Sequence, residues 1–305
     1  MFKTNYSKTN KTILFITICL GLVLGGYMLE GVGEKGNPLV LQEMSWVDVQ
    51  EYLKTSDMVI IPIGATEQHG PHMPLGTDFY EATEMSKLIS SRTGVLVAPV
   101  LLAGYSVYHS GFPGTLSLKP ETMERVLFET AEMLMKYGFR RFMFFNYHGG
   151  NRIVESKVIH KINHTTEAIA VRIGIFASFQ ERGEEPAPLD YHAGIGETSI
   201  MLYLKPDLVK MERAQKPGMT LTTKILELQE LGKENPGMMD VMGALMGVPV
   251  ETKKGGASHE LSSNGIWTLG DPKTATKERG EKNVNRMVEN AVKFIKTWEK
   301  VKNNP

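Results

Sequence analysis

An α/β fold, a parallel sheet with helices on both faces, is what this sequence predicts. Three observations carry that prediction. Continuous apolar runs, too uniform for half-solvated strands, recur at 58–63, 95–101 and 142–145, with a fourth strand-like stretch at 168–176 that is apolar but for Arg172, as they do in sheets buried on both faces. Segments with apolar residues at helical spacing lie between them, so strand and helix alternate along the chain. Two of the strands run straight into polar, Gly-containing loops, and in open α/β sheets ligands collect at the carboxyl ends of the strands.

The chain has 305 residues, enough to bury a substantial core. Basic and acidic residues balance at 34 each, and no basic block stands out, which removes the electrostatic case for nucleic acid as a partner. Residues 1–30 stand apart from the rest. Lys3, Lys8 and Lys11 precede an uncharged apolar run over 13–29 that ends at Glu30, the pattern of a signal peptide or an N-terminal membrane anchor. The chain is therefore expected to be extracytoplasmic, periplasmic or secreted, or anchored to the membrane by this segment, its one membrane contact. Cys19, the single cysteine, lies inside the run, so the body of the chain has neither disulfides nor thiolate ligands. Residues 31–44 read as a linker and 45–303 as the folded domain.

Within that domain Ser45 suits the N-cap of a short helix over 45–54. The first strand, 58–63, breaks at Gly64 and releases a Gly/Pro-punctuated loop holding Glu67, His69, His72 and Asp78. A helix over 79–91 leads to the second strand and then to a loop with His109, Gly111 and Thr115. Pro120 opens an amphipathic helix closed by Gly138. The third strand delivers Asn146, Tyr147, His148, Gly149, Gly150 and Asn151, followed by a helix over 153–164 whose polar face holds His160 and His164, read as solvated. The fourth strand and a polar loop lead to His192 and Glu197 and a helix over 199–204. Residues 207–263, with a helix over 221–231 and a Met-rich stretch, read as a peripheral excursion over the site or an oligomer contact. A turn over 265–272 precedes a long amphipathic helix, 276–301.

The acid and imidazole groups are what packing does not explain. Glu67 and His69 are two residues apart, so in an extended segment both leave one face, and Pro71, Pro74 and Gly76 can turn the chain to bring Asp78 back. Carboxylates with imidazoles suit a hard-to-borderline divalent ion such as Zn, Mn or Fe. Glu67, Asp78 and His148 can hold one ion, and His69, Asp78 and Glu197 a second, with Asp78 shared. His109, Tyr147, Gly149 and Gly150 are the candidates to face substrate, since paired glycines leave room beside the backbone. His72 reads as a brace for the loop, and Thr115 and Asn151 as polar supports. His259 falls in a loop with no readable pattern.

Taken together, the stretches IGATEQHGPHMPLGTD, GFPGT, NYHGGN, HAGIGETS and GDPKTATKERG resemble, in order, the motifs of the creatininase (creatinine amidohydrolase) family. The resemblance spans roughly 45–300. It implies a Rossmann-like, creatininase-like α/β fold, a metal-dependent amidohydrolase with two divalent ions per chain, and a homo-oligomer, commonly a hexamer. One departure concerns substrate: members that hydrolyse creatinine carry tyrosine then glutamate where this chain has Gly149 and Gly150, which leaves Glu197 to serve the second ion. The tryptophans that box creatinine also lack counterparts here, the only ones being Trp46, Trp267 and Trp298. The expected activity is cleavage of a C–N amide bond in a cyclic amide, formamide or small peptide-like substrate, by a hydroxide bridging the ions. His192 and Glu197 are the expected catalytic groups, His192 passing a proton to the leaving nitrogen. The alternatives are an exported metallopeptidase or deformylase of the same family, or an inactive membrane-tethered binding protein.

Overall fold

A computed structural model describes residues 36–99, 103–174 and 190–301. The expected signal or anchor segment and the far ends of the second and fourth predicted strands lie outside those residues. No helix among the described residues is long and apolar enough to cross a membrane. The first half runs α1 (Trp46–Leu53), β1 (Met58–Ile63), α2 (Thr77–Thr93), β2 (Leu96–Val97), α3 (Pro120–Tyr137), β3 (Arg141–Asn146), α4 (Arg152–Thr165) and β4 (Ile169–Ile173). The second half runs β5 (Asp190–His192), α5 (Ile195–Leu204), α6 (Thr223–Glu234), α7 (Met238–Leu245), α8 (Ser258–Leu261), β6 (Trp267–Thr268) and α9 (Lys277–Trp298).

The main sheet has the order β2-β1-β3-β4, and every pair in it is parallel. Side chains on a strand alternate between faces, so β1 and β3 feed two cores at once. Val59, Ile61, Ile63, Phe142 and Phe144 pack with Met123 and Leu127 of α3 and Val154 and Val158 of α4. Met58, Ile60, Met143 and Phe145 pack on the other face with Met85 and Ile89 of α2, Ile200 of α5, and Val284 and Val288 of α9. Strands apolar on nearly every residue are what this two-sided cover requires. β5 and β6 form a separate antiparallel pair.

Local chemistry accounts for the helix ends. Ser45 caps α1 through a reciprocal box in which Asp48 Oδ2 accepts from the Ser45 amide at 2.8 Å. Pro120 opens α3, and Gly138, at φ +117°, ends it. Thr276 caps α9, its hydroxyl accepting from the Arg279 amide at 3.2 Å.

Four boundaries differ from expectation. The second strand is only Leu96–Val97; Ala98 still donates to the Ile60 carbonyl at 2.8 Å, but Pro99 has no N–H to continue the ladder. Asp78 is not in the loop but in the first turn of α2, and Glu197 is in the first turn of α5, which starts at Ile195. The turn expected over 265–272 contains β6, because Trp267 and Thr268 pair with the His192 strand.

Gly64 is what brings these pieces together. A Cβ there would lie 2.6 Å from Phe79 Cα, so only glycine lets the start of α2 rest against the end of β1. The Glu67 amide then donates to the Leu75 carbonyl at 2.8 Å and closes the loop between them.

Candidate metal centre

Glu67, His69, Asp78, His148 and His192 converge beyond the carboxyl ends of β1 and β3, each less than a tenth exposed, with Glu197 beside them. Asp78 lies between two imidazoles, its Oδ1 3.3 Å from His69 Nε2 and its Oδ2 3.2 Å from His148 Nδ1. Glu67 Oε2 is 3.3 Å from His148 Nε2, and Glu67 Oε1 is 3.3 Å from His109 Nε2 and 3.6 Å from His192 Nδ1. Glu197 Oε2 is 3.9 Å from His69 Nε2, and its side chain, 23% exposed, is the most open of the group. The two triplets expected from the sequence, Glu67–Asp78–His148 and His69–Asp78–Glu197, both have ligand atoms mutually close enough for one ion, and so does Glu67–His69–His192.

Backbone carbonyls orient the imidazoles. His69 Nδ1 donates to the Glu67 carbonyl (3.1 Å), His148 Nε2 to the Tyr105 carbonyl (3.0 Å) and His192 Nε2 to the Gln68 carbonyl (2.6 Å). A carbonyl can only accept, so the nitrogen facing it carries hydrogen and the other nitrogen turns toward the carboxylates. That is how metal-ligating histidines are commonly held.

The charges are unbalanced toward the negative. Burial opposes protonation of His69, yet the Asp78 carboxylate, with Glu197 and Glu67 behind it, carries that imidazole up to about 9. His148 is raised in the same way, burial being outweighed by Glu67 and Asp78. Burial works to raise Asp78, but His69 and His148 hold it below the usual carboxylate range. Burial pushes Glu197 up to about 7 against the pull of His69. His192 and His109 are driven down by burial and by neighbouring imidazoles, so both are neutral.

These residues fit a divalent cation. Glu67 Oε1 and Oε2, His69 Nε2 and Asp78 Oδ2 are buried without a hydrogen-bond partner, a state that costs about 1–3 kcal/mol for each group left unsatisfied. A positive ion among them satisfies the orphaned atoms and neutralises the same field that draws protons to His69 and His148. The donor set of carboxylate oxygen and imidazole nitrogen suits Zn, Mn or Fe.

The other expected residues fall around this cluster. Tyr147 and Gly149 line a cavity of ≈ 380 Å³ together with His148 and Glu197. Gly150 lies under the site; a Cβ there would be 2.2 Å from the Tyr105 carbonyl oxygen and 2.6 Å from His148 Nε2, so no side chain fits at this position. His109 is buried behind Glu67 with its ring 4.3 Å from that of His192. His72 is buried and shares a 2.9 Å hydrogen bond with the Thr198 hydroxyl. Thr115 accepts from the Gln68 amide at 3.1 Å. Asn151 donates to the Gly64 carbonyl (3.0 Å) and accepts from the Tyr105 amide (2.9 Å), tying three loops together. His160 and His164 are exposed.

Three features escaped the sequence reading. Gln68 donates to His109 Nδ1 (3.1 Å), to the Gly265 carbonyl (3.1 Å) and toward the Ser258 hydroxyl (3.3 Å). Its position between two ligand-type residues was the available signal. Glu81 is fully buried with both carboxylate oxygens unpartnered, and burial with Glu197 and Asp78 nearby holds it protonated; its spacing of three from Asp78 puts it on the same helical face. Ala193 adopts φ 54°, a strained conformation for a residue with a Cβ. It is fastened there by the Glu197 carboxylate, which accepts from its amide at 2.6 Å.

Fold and site thus define an α/β protein with a buried carboxylate–imidazole centre at the carboxyl end of a parallel sheet. The sequence model of one family, Creatininase (creatinine amidohydrolase), matches residues 42–295. A mycofactocin precursor peptide peptidase of Mycolicibacterium smegmatis is 32% identical over 256 residues, covering 81% of this chain and 87% of the relative. A creatinine amidohydrolase of Pseudomonas putida is 32% identical over 191 residues, 56% of this chain and 74% of the relative. A crystal structure of creatininase superposes with a TM-score of 0.67 at 24% identity, over 87% of this chain and 99% of that one. Solved creatininases include a manganese form and a mutant of Zn–Zn type. The chain belongs to the creatininase family.

Proposed function

We propose that this protein is a divalent-metal-dependent hydrolase that cleaves the C–N bond of a small, peptide-like amide. The observation that carries the reading is Asp78, buried between His69 and His148 at 3.3 and 3.2 Å, with Glu67 and Glu197 completing two ligand sets. Glu67, Asp78 and His148 would hold one ion, and His69, Asp78 and Glu197 a second. Bound there, divalent ions lower the pKa of water and polarise the amide carbonyl.

The chain's own groups do the rest. The open space at Gly149, where a Cβ would meet nothing within 4 Å, admits the substrate beside His148. His192 is the base: its Nε2–H is committed to the Gln68 carbonyl and its neutral Nδ1 faces the cluster. It takes a proton at Nδ1 from the attacking water and returns it to the leaving nitrogen, a role worth about 10²–10⁴-fold. The Gln68 carbonyl supports the imidazolium that forms meanwhile.

A peptide-like amide is favoured over creatinine by the pair Gly149–Gly150, by the absence of a creatinine-boxing tryptophan, and by the long match to the peptide peptidase. The lysine-flanked apolar run over 13–29 supports work outside the cytoplasm. A homo-oligomer, a hexamer as in the resemblance, belongs to the same proposal.

The test is metal content by elemental mass spectrometry on protein purified without chelator, with turnover on cyclic amides, formamides and short peptides. His192→Ala is expected to retain the ions and lose turnover by about 10²-fold or more. Loss of metal in that variant would favour the Glu67–His69–His192 triplet as a ligand set instead. No metal and no turnover after adding Zn or Mn would remove the hydrolase reading.

A further inference from the structure

The cavity beside the cluster has a second chemical end. Glu197 and His148 lie at one side of it, while α9 contributes Asn283, Arg286 and Met287 at the other. Arg286 is half-buried, and its one hydrogen bond among the described residues is from Nη2 to Asn283 Oδ1 at 3.2 Å. Its Nε is buried with no hydrogen-bond partner. No carboxylate lies within ion-pair distance of it among the described residues, whereas Arg172 meets Glu155 at 2.7 Å and Arg141 pairs with Asp57.

A half-buried guanidinium in a cavity wall, with one hydrogen bond and no carboxylate partner among the described residues, offers its remaining N–H groups to a ligand. Its planar fork matches a carboxylate with two parallel hydrogen bonds. The cavity's other charged groups limit the negative charge a ligand can bring. Asp190 and Glu197 are acids, tied to the Gly196 and Ala193 amides at 2.7 and 2.6 Å, and Arg152 is exposed. A more highly charged phosphate would face those two acids at greater cost than a carboxylate.

We propose that Arg286 receives a substrate carboxylate, so that the peptide-like amide is one with a free carboxylate near the scissile bond. This rests on the hydrolase reading above and names its substrate class. The scissile amide then faces Glu197 and His148, and the carboxylate anchors against α9.

The test compares N-acetyl-alanyl-alanine with its C-terminal primary amide on the metal-loaded full chain. The carboxylate form is expected to win by about tenfold or more in kcat/KM, mainly through KM, as a charge-assisted pair implies. Arg286→Gln should bring the two substrates within about threefold of each other, and Arg286→Lys should restore part of the preference. A preference that persists in Arg286→Gln overturns the proposal. If wild type turns over neither compound, the hydrolase reading fails on these amides, and the same pair is scored by Tm. A larger shift from the carboxylate in wild type, absent in Arg286→Gln, sustains the anion site; equal shifts overturn it.

Discussion

Two regions meet at the site and are built on opposite plans. The carboxyl end of the sheet, from β1 through α2 and from β3 to Asn151, supplies Glu67, His69, Asp78 and His148, and nearly every one of its strand residues is buried. The excursion over 207–263 is mostly exposed: Ile225 and Leu228 are the buried residues of α6, and α7 has none. It reaches the loops around the cluster through neutral groups, the Ser258 hydroxyl beside Gln68 and the Lys210 amide, which donates to the His72 carbonyl at 2.8 Å. The contrast teaches where precision resides. Groups that must stay within fractions of an ångström of one another are set on a ladder of backbone hydrogen bonds packed on both faces. Among the described residues the excursion contributes neither to the ligand sets nor to the lining of the cavity beside them.

The division can be broken most decisively at Asp78. Asp78→Ala removes the carboxylate shared by both ligand sets, so kcat/KM should fall by about 10³-fold or more together with bound metal. Steady-state kinetics with elemental analysis checks this, and full metal content would dissolve the assignment of the ligands to the sheet's carboxyl end. A smaller effect is expected at Gly150, where an added Cβ meets backbone rather than a yielding side chain. Gly150→Ala should cost about 1–3 kcal/mol of stability and, by displacing His148, about 10²-fold in turnover. An unchanged Tm would show that the loop has room which the 2.2 Å approach to the Tyr105 carbonyl denies. Smallest of all should be Leu228→Ala on α6. It should lower Tm by a few degrees, for roughly 1–2 kcal/mol of lost burial, and leave kcat within about threefold, because α6 supplies no ligand. A tenfold loss of kcat with metal retained would move part of the chemistry into the excursion.

Glu197 and His192 stand between the two regions. They come from neither the main sheet nor the excursion but from β5 and the first turn of α5, and a strained Ala193 joins them. Both were legible as ligand-type residues because HAGIGETS places them where a glycine-bearing turn meets a helix. The strain was not, since alanine gives no sign of a positive φ.

Several things were determined by the sequence alone. Uninterrupted apolar runs required a sheet covered on both faces, and the Gly/Pro loop after Ile63 held its acids and imidazoles where no packing argument placed them. The two ligand triplets could be grouped from those motifs, because each motif directly follows a strand or opens a helix. Only the tertiary structure decided what depends on partners far apart in the chain. The Gln68 carbonyl accepts from His192 and the Gln68 side chain donates to the Gly265 carbonyl, across separations of 124 and 197 residues. Glu81 is an ordinary helical glutamate until α2 is packed and both its oxygens are cut off from water. Arg286 is one basic residue among many on a long amphipathic helix until α9 lies across the cavity and leaves it without a carboxylate among the described residues. Local patterns carry information about helix, strand and turn because those are set by neighbours in sequence. Burial, orphaned charge and close approach are set by neighbours in space, which the linear pattern does not encode.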